Sequence, residues 1–219
     1  MHSIAIDGPA GAGKSTIARL VAKKLGFIYV DTGAMYRAMA LYFIRKGIGS
    51  QEEERIGEAC GDIHIAIEYE GGEQQVILNG ENVNAFIRTE EVGMMTSATS
   101  KYPKVREKLL SLQRDLAGSK DVIMDGRDIG TCVLPGADLK IYLTASASER
   151  ARRRCLELTE KGVACDIKKI EQDIIARDEQ DMGREVAPLK QAEDAVLVDA
   201  SDMTVDEVVD RVVSLYESV

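Results

Sequence analysis

Apolar positions change period several times along this chain, and each change marks an element. Ser3-Ile4-Ala5-Ile6 is a short, mainly apolar run that predicts a buried parallel strand. Ile17, Leu20, Val21 and Leu25 then recur at helical spacing until Gly26, which readily ends a helix. Residues 27–30 predict a second strand, ending at Asp31. Thr32 is a candidate cap for the next helix, which carries Met35, Tyr36, Met39, Ala40 and Phe43. Gly47 and Gly49 end that helix, and the charged stretch 50–60 reads as a short one. From Ile63 the period drops to two. Ile63, Ile65 and Ile67 alternate with His64, Ala66 and Glu68, as in a half-buried strand. Glu70-Gly71-Gly72-Glu73 is a hairpin turn, 75–78 the returning strand, and Asn79-Gly80 another turn.

Helices are predicted over 92–100 and 102–116, with Pro103 tolerated in the first turn of the second. Leu109, Leu110, Leu112 and Leu116 form the buried face there, and Gly118 closes it. Strands follow at 121–125 and 139–143, with loop between them at Gly130 and Pro135-Gly136. A charged helix begins near Ser146 and Ser148 and breaks at Gly162. The helix over 166–181 carries Ile167, Ile170, Ile174 and Ile175 on one side. After a strand at 195–198, Thr204 and Glu207 have capping-box spacing, and Val205, Val208, Val209, Val212 and Leu215 form the last apolar stripe. The alternation predicts an α/β fold of three layers, with about five parallel strands between helices. We expect a single domain over 1–219, interrupted by a small β-rich insertion at 63–88. That insertion reads as a substrate-side unit or as a plain surface hairpin. Ligands in such sheets bind beyond the carboxyl ends of the strands. Gly8, Asp31-Thr32 and Asp125-Gly126-Arg127-Asp128 all follow strand ends, so they should converge on one cleft.

Composition is ordinary for a globular chain, at 45% hydrophobic and 30% charged. Lysine and arginine number 28 against 37 acidic residues, a net charge of −9, which argues against a nucleic-acid-binding surface. An anionic substrate would need a local cluster of arginines. Cys60, Cys132, Cys155 and Cys165 have no metal-ligand spacing, and with His2 and His64 the sole histidines a histidine metal site is not expected. The thiols read as packing or bystander groups in a reducing cytosol. The first strand starts almost at Met1, which leaves no room for a signal peptide, and no apolar run suits a membrane span. A cytoplasmic protein is expected.

Gly8-Pro9-Ala10-Gly11-Ala12-Gly13-Lys14-Ser15 fits the phosphate-loop pattern G-x-x-x-x-G-K-[ST], between a strand and a helix as the motif requires. The glycines let backbone N–H groups turn inward, and the helix start adds further donors and a positive dipole end. Lys14 should reach the β- and γ-phosphates, and the Ser15 hydroxyl should ligate Mg²⁺. A glycine-rich turn alone would demand neither residue.

A phosphate loop holds a donor but does not say where its phosphate goes. Arg37, Arg106, Arg127, Arg177 and Arg184 are acceptor-side candidates, because a guanidinium fork suits phosphate and stays charged. Singly, each is more often a solvated surface charge. Arg177, Asp181 and Arg184 lie at i, i+4 and i+7, on one helix face or on an exposed salt-bridged one. Together with Gly8 to Thr16, the stretches Asp31-Thr32-Gly33-Ala34-Met35-Tyr36-Arg37 and Asp125-Gly126-Arg127-Asp128-Ile129-Gly130-Thr131, and the segment 177–189, make the chain resemble the bacterial cytidylate kinases over nearly its whole length.

That resemblance implies transfer of the γ-phosphate of ATP to CMP or dCMP, with Mg²⁺. By position it implies that Arg37, Arg127 and Arg184 hold phosphates and act with Lys14 in catalysis. Ser97, Arg106 and Asp128 would read cytosine, and Arg177 and Asp181 would contact the sugar. Thr32 stands where some relatives have serine. Arg152, Arg153 and Arg154 would belong to a lid over ATP, in a segment 148–166. The base-reading trio also makes chemical sense, since Asp128 can accept from N4 of cytosine while Arg106 donates to N3 or O2. Asp125 could hold Mg²⁺ through water or pair with an arginine. A monomer is expected. Other readings are a P-loop kinase of another small molecule, such as a shikimate-type enzyme, and a non-catalytic nucleotide-binding regulator. A GTPase switch is disfavoured, because no N-K-x-D occurs.

Overall fold

Side chains that alternate along five short strands give the central sheet two apolar faces. In this computed structural model, which describes residues 1–160 and 162–219, those strands are all parallel. The elements run β1 (Ser3–Asp7), α1 (Lys14–Leu25), β2 (Ile28–Asp31), α2 (Thr32–Arg45), α3 (Glu53–Ala59), β3 (Ile65–Glu70), β4 (Glu73–Leu78), β5 (Glu81–Asn82), α4 (Glu90–Thr99) and α5 (Pro103–Ser119). There follow β6 (Val122–Gly126), β7 (Leu139–Thr144), α6 (Ala147–Glu160), α7 (Ile167–Met182), β8 (Val196–Asp199) and α8 (Val205–Glu217). The main sheet has the order β2-β6-β1-β7-β8, and β3-β4-β5 form a small antiparallel sheet of their own. Lys161, in the expected lid segment, lies outside the described residues. Among the described residues no helix is long and apolar enough to cross a membrane.

The period-two pattern of the central strands sorts the core. Ile4 and Ile6 of β1 face one way, with Ile123, Ile141 and Leu143, and pack under Ile17 and Val21 of α1 and Val208 and Val212 of α8. Ala5 faces the other way, with Val30, Val122 and Met124, and meets Met35, Met39 and Phe43 of α2 and Leu109 of α5. Val76, Leu78 and Val83 extend that second cluster into the antiparallel unit. The insertion is thus fused to the α2 side of the core rather than hanging free. Tyr69 also donates its hydroxyl to the Tyr29 carbonyl at 3.1 Å. Gln74 accepts from the Asp31 N–H at 2.8 Å and donates to the Asp31 carbonyl at 3.2 Å.

Several expectations are corrected. Asp31, not Thr32, caps α2, its carboxylate accepting the Ala34 N–H at 2.9 Å. Thr32 is already inside the helix, and its hydroxyl goes to the Asp125 carbonyl at 2.7 Å. Gly118 does not close α5, which continues to Ser119. The side of α7 that carries the isoleucines is not its buried one: Ile167 and Ile175 are 44% and 43% exposed, and the side chains that α7 buries are Asp178 and Asp181. Arg184 lies past the end of α7 at Met182, not on the helix itself. The cysteines are not four bystanders. Cys155 of α6 and Cys165 before α7 are joined as a disulfide, while Cys60 and Cys132 are free.

Candidate active site

β1 delivers the chain to Gly8 at the carboxyl edge of the sheet. Its φ of 149° is open only to glycine, and a Cβ there would collide with the Leu143 carbonyl oxygen of β7. Gly11 and Gly13 also have left-handed backbones, with φ 78° and 90°. Gly13 is the N-cap of α1 and offers no side-chain acceptor, so the first N–H groups of that helix remain available to an anion. Lys14 is buried, and its Nζ donates to the Pro9 carbonyl at 2.8 Å. Burial, and after it the charge of Arg127, lowers the Lys14 pKa to about 7. Ala12 N–H reaches back to the Pro9 carbonyl at 3.5 Å, Ala10 points its carbonyl to Arg150, and Thr16 is exposed.

The Ser15 hydroxyl donates to Asp125 Oδ2 at 2.9 Å, and the Tyr29 hydroxyl donates to Oδ1 at 2.9 Å. Burial and then the neighbouring Asp31 push Asp125 up to about 6. Asp31 and Asp125 are register partners across β2 and β6, which is why their charges meet. A hydroxyl beside a carboxylate at the phosphate loop is a hard-oxygen donor set suited to Mg²⁺.

Opposite the loop stands a crowd of guanidinium groups. Arg127 donates from Nε to Asp181 Oδ2 at 2.9 Å, and Arg184 donates to Asp181 Oδ1. Burial would raise the Asp181 pKa, but Arg127 and Arg184 hold it below the usual carboxylate range. Arg177 is lowered by burial and then by Arg127. Arg37 is lowered by burial and then by Arg88 and Arg177, and it donates to the Ile87 carbonyl at 3.2 Å. Among the described residues the buried Nε atoms of Arg177 and Arg184 have no hydrogen-bond partner. Arg106 lies over the Tyr36 ring, 5.6 Å from its centroid, and pairs with Asp128. Ser97 donates to Gln180 of α7 at 3.3 Å and accepts from it through its carbonyl at 3.4 Å.

The structure therefore gathers Arg37, Arg106, Arg127, Asp128, Arg177, Asp181 and Arg184 in one charged cluster beside Lys14. It does not bring Arg152, Arg153 and Arg154 to the loop. Arg152 and Arg153 pair with Glu149 at 2.7 and 2.8 Å, and Arg154 pairs with Glu157 at 3.0 Å. The arginine that reaches the loop is Arg150, which sequence reasoning passed over. It is 5% exposed and donates to Ala10 O and Ala145 O at 2.9 Å each, and to Asp178 of α7 at 2.6 Å. Arg88, paired with Asp31 at 2.6 Å, and Tyr29 were also missed. With Arg19, Gln74 and Asn84 they line a cavity of 210 Å³ under the insertion. A signal for Arg150 did exist, because four arginines within five helical positions cannot all face solvent on one amphipathic helix. Nothing in the sequence pointed to Asp178 as its partner.

The family model described as cytidylate kinase matches residues 4–218. The chain is 54% identical over 217 residues to a cytidylate kinase of Caldicellulosiruptor saccharolyticus, spanning 99% of this chain and 96% of that one. It is 50% identical over 213 residues to a cytidylate kinase of Desulfitobacterium hafniense, spanning 97% and 91%. Among solved structures, a shikimate kinase from Bacteroides thetaiotaomicron superposes with a TM-score of 0.50 at 15% identity, covering 99% of this chain and 98% of that one. That likeness concerns the fold, which is shared by P-loop kinases, and leaves the substrate to the closer relatives. Near-complete coverage at about half identity, on a chain whose strand-end motifs meet in one cleft, makes this protein a member of the cytidylate kinase family.

Proposed function

We propose that the protein transfers the γ-phosphate of ATP to CMP or dCMP, giving ADP and CDP or dCDP. One observation carries the reading. Arg37, Arg177 and Arg184 are half-buried beside Arg127 and all have lowered pKa values, and Asp181 pairs with Arg127 and Arg184. Partly desolvated cations that repel one another are poised for polyanions, whose arrival removes the repulsion. A regulator that bound one nucleotide would need no such second set. A shikimate-type acceptor would give Arg106 and Asp128 nothing to read.

Phosphoryl transfer has a loose transition state, so alignment and charge stabilisation dominate. In the proposed mechanism the phosphate-loop N–H groups seat the donor's phosphates. Lys14 gives up the Pro9 carbonyl for a phosphate oxygen. Arg37, Arg127 and Arg184 hold the acceptor phosphate in line, and Thr32 closes its near side. Asp128 takes the N4 amino group of cytosine, Arg106 and Ser97 complete the base edge, and Arg177 and Asp181 face the sugar. The acceptor is already an anionic oxygen, so no general base is needed. Ser15 and Asp125 would hold Mg²⁺, which would supply neutralising charge for the donor's phosphates. The insertion 63–88 serves as the acceptor-side unit and the segment 148–166, with Arg152, Arg153 and Arg154, as the donor-side lid. In this proposal the protein acts as a monomer.

Incubation with ATP, Mg²⁺ and each of CMP, dCMP, UMP and AMP tests the reading. Rapid ADP formation with CMP and dCMP is expected. Equal rates with all four, or none with any, would reject it.

A further inference from the structure

Asp7, the last residue of β1, has no part in the chemistry above, yet its carboxylate is only 5% exposed at the heart of the site. Its Oδ1 accepts the Ile129 N–H at 2.8 Å and its Oδ2 accepts the Gly130 N–H at 2.7 Å. Those are the first two amides of a one-turn π-helix over Ile129–Val133, whose N-cap position is held by Asp128.

An aspartate at an N-cap normally folds its own carboxylate back onto the second or third amide. Asp128 makes no such bond. Its carboxylate points instead to Arg106. The amide it would otherwise have capped, Gly130 N–H, is already satisfied from a neighbouring strand.

The register explains why Asp7 can do this. Asp7 pairs with Gly126 of β6, so the turn that leaves β6 passes directly over its side chain. Asp7 is itself held between β6 and β7, and the following Gly8 abuts Leu143. Gly130 leaves the approach open, since a Cβ there would lie 3.4 Å from Asp7 Oδ2 and 3.1 Å from Lys140 Cδ.

We propose that Asp7 is a positioning residue that caps the turn in place of Asp128, so that the Asp128 carboxylate stays free for the acceptor base. The inference rests on the reading of Asp128 as a base-contacting group. Without Asp7, buried amides at 129 and 130 lack an acceptor, and the nearest replacement is Asp128 itself. Base selection would then fail although Asp128 is still present.

The test is a double-mutant cycle of Asp7→Ala and Asp128→Ala, read as the ratio of kcat/KM for CMP to that for UMP. The ratio cancels any effect on ATP, because one donor site serves both acceptors. Asp128→Ala is expected to lower the ratio about tenfold or more, the cost of one buried polar mismatch. Asp7→Ala should lower it by most of that factor, and the double variant by no more than Asp128→Ala alone. An unchanged ratio in Asp7→Ala, or effects that multiply in the double variant, overturns the inference while leaving Asp128 as a base reader. An unchanged ratio in Asp128→Ala overturns both. Should Asp7→Ala fail to fold, Asp7→Asn keeps the volume and one acceptor, and the same cycle applies with a smaller expected drop.

Discussion

Lys14 illustrates how one side chain can be held ready. Its ammonium is buried and has a carbonyl, not a carboxylate, as its hydrogen-bond acceptor, and the charge of Arg127 is close by. Both conditions disfavour the charged form, which is why its pKa falls to about 7. A polyphosphate reverses the balance by supplying negative charge. Above pH 7 the free protein should therefore take up protons when the nucleotide binds. Calorimetry of ATP binding at pH 8 in buffers of different ionisation enthalpy should show that uptake, and Lys14→Met should abolish most of it. Equal uptake in both proteins would mean that another group carries the proton. Asp7 and Asp125, raised to about 6, contribute mainly below that window.

Among the elements, α7 departs furthest from its sequence pattern. Isoleucines at 167, 170, 174 and 175 share one side by their spacing, but the helix turns Asp178 and Asp181 inward and leaves Ile167 and Ile175 exposed. Packing against arginines decides its rotation. Asp178 pairs with Arg150, and Asp181 bridges Arg127 and Arg184. Ile175→Lys should accordingly change unfolding free energy by no more than about 0.5 kcal/mol. Leu109→Ala, at a fully buried position of α5, should cost about 2–5 kcal/mol. Chemical denaturation of both variants checks the contrast, and a cost at Ile175 matching that at Leu109 would place Ile175 in the core. The other elements were legible because local signals agreed with burial. The alternation at 63–67, the Gly-Gly and Asn-Gly turns and the Thr204–Glu207 box each specify a conformation without outside help. The cleft was legible where a motif fixes chemistry, as at Gly8 to Ser15 and Arg127-Asp128. It was not legible where two residues distant in sequence satisfy one another, as with Arg150 and Asp178, Asp7 and Gly130, or Cys155 and Cys165. Residue type alone carries no record of such partners.

For the whole molecule, the net charge of −9 opposes both substrates, so the positive cluster must act locally. Two nucleotides would enter from different sides, one at the phosphate loop and one between α2, α4 and α7, and share the arginines between them. Each should stabilise the fold by mass action, by about 2.7 kcal/mol at a hundred times its dissociation constant. For a chain of this size that corresponds to a rise in melting temperature of about 5 °C or more. Thermal melts with CMP, with a non-hydrolysable ATP analogue and with both should rise in that order of occupancy, the pair shifting the melt furthest. A pair no more stabilising than the better single ligand would mean that the two compete for one place.

Arg150 ties three parts of the machine to a single guanidinium: the Ala10 carbonyl of the loop, the foot of α6 and Asp178 of α7. Such a knot leaves the loop and the helical hairpin little freedom to rearrange one at a time. If α6 and α7 move as the proposed lid, donor capture and that movement should share one relaxation time in a rapid-mixing trace. Cutting the knot with Arg150→Ala should split that trace into two phases.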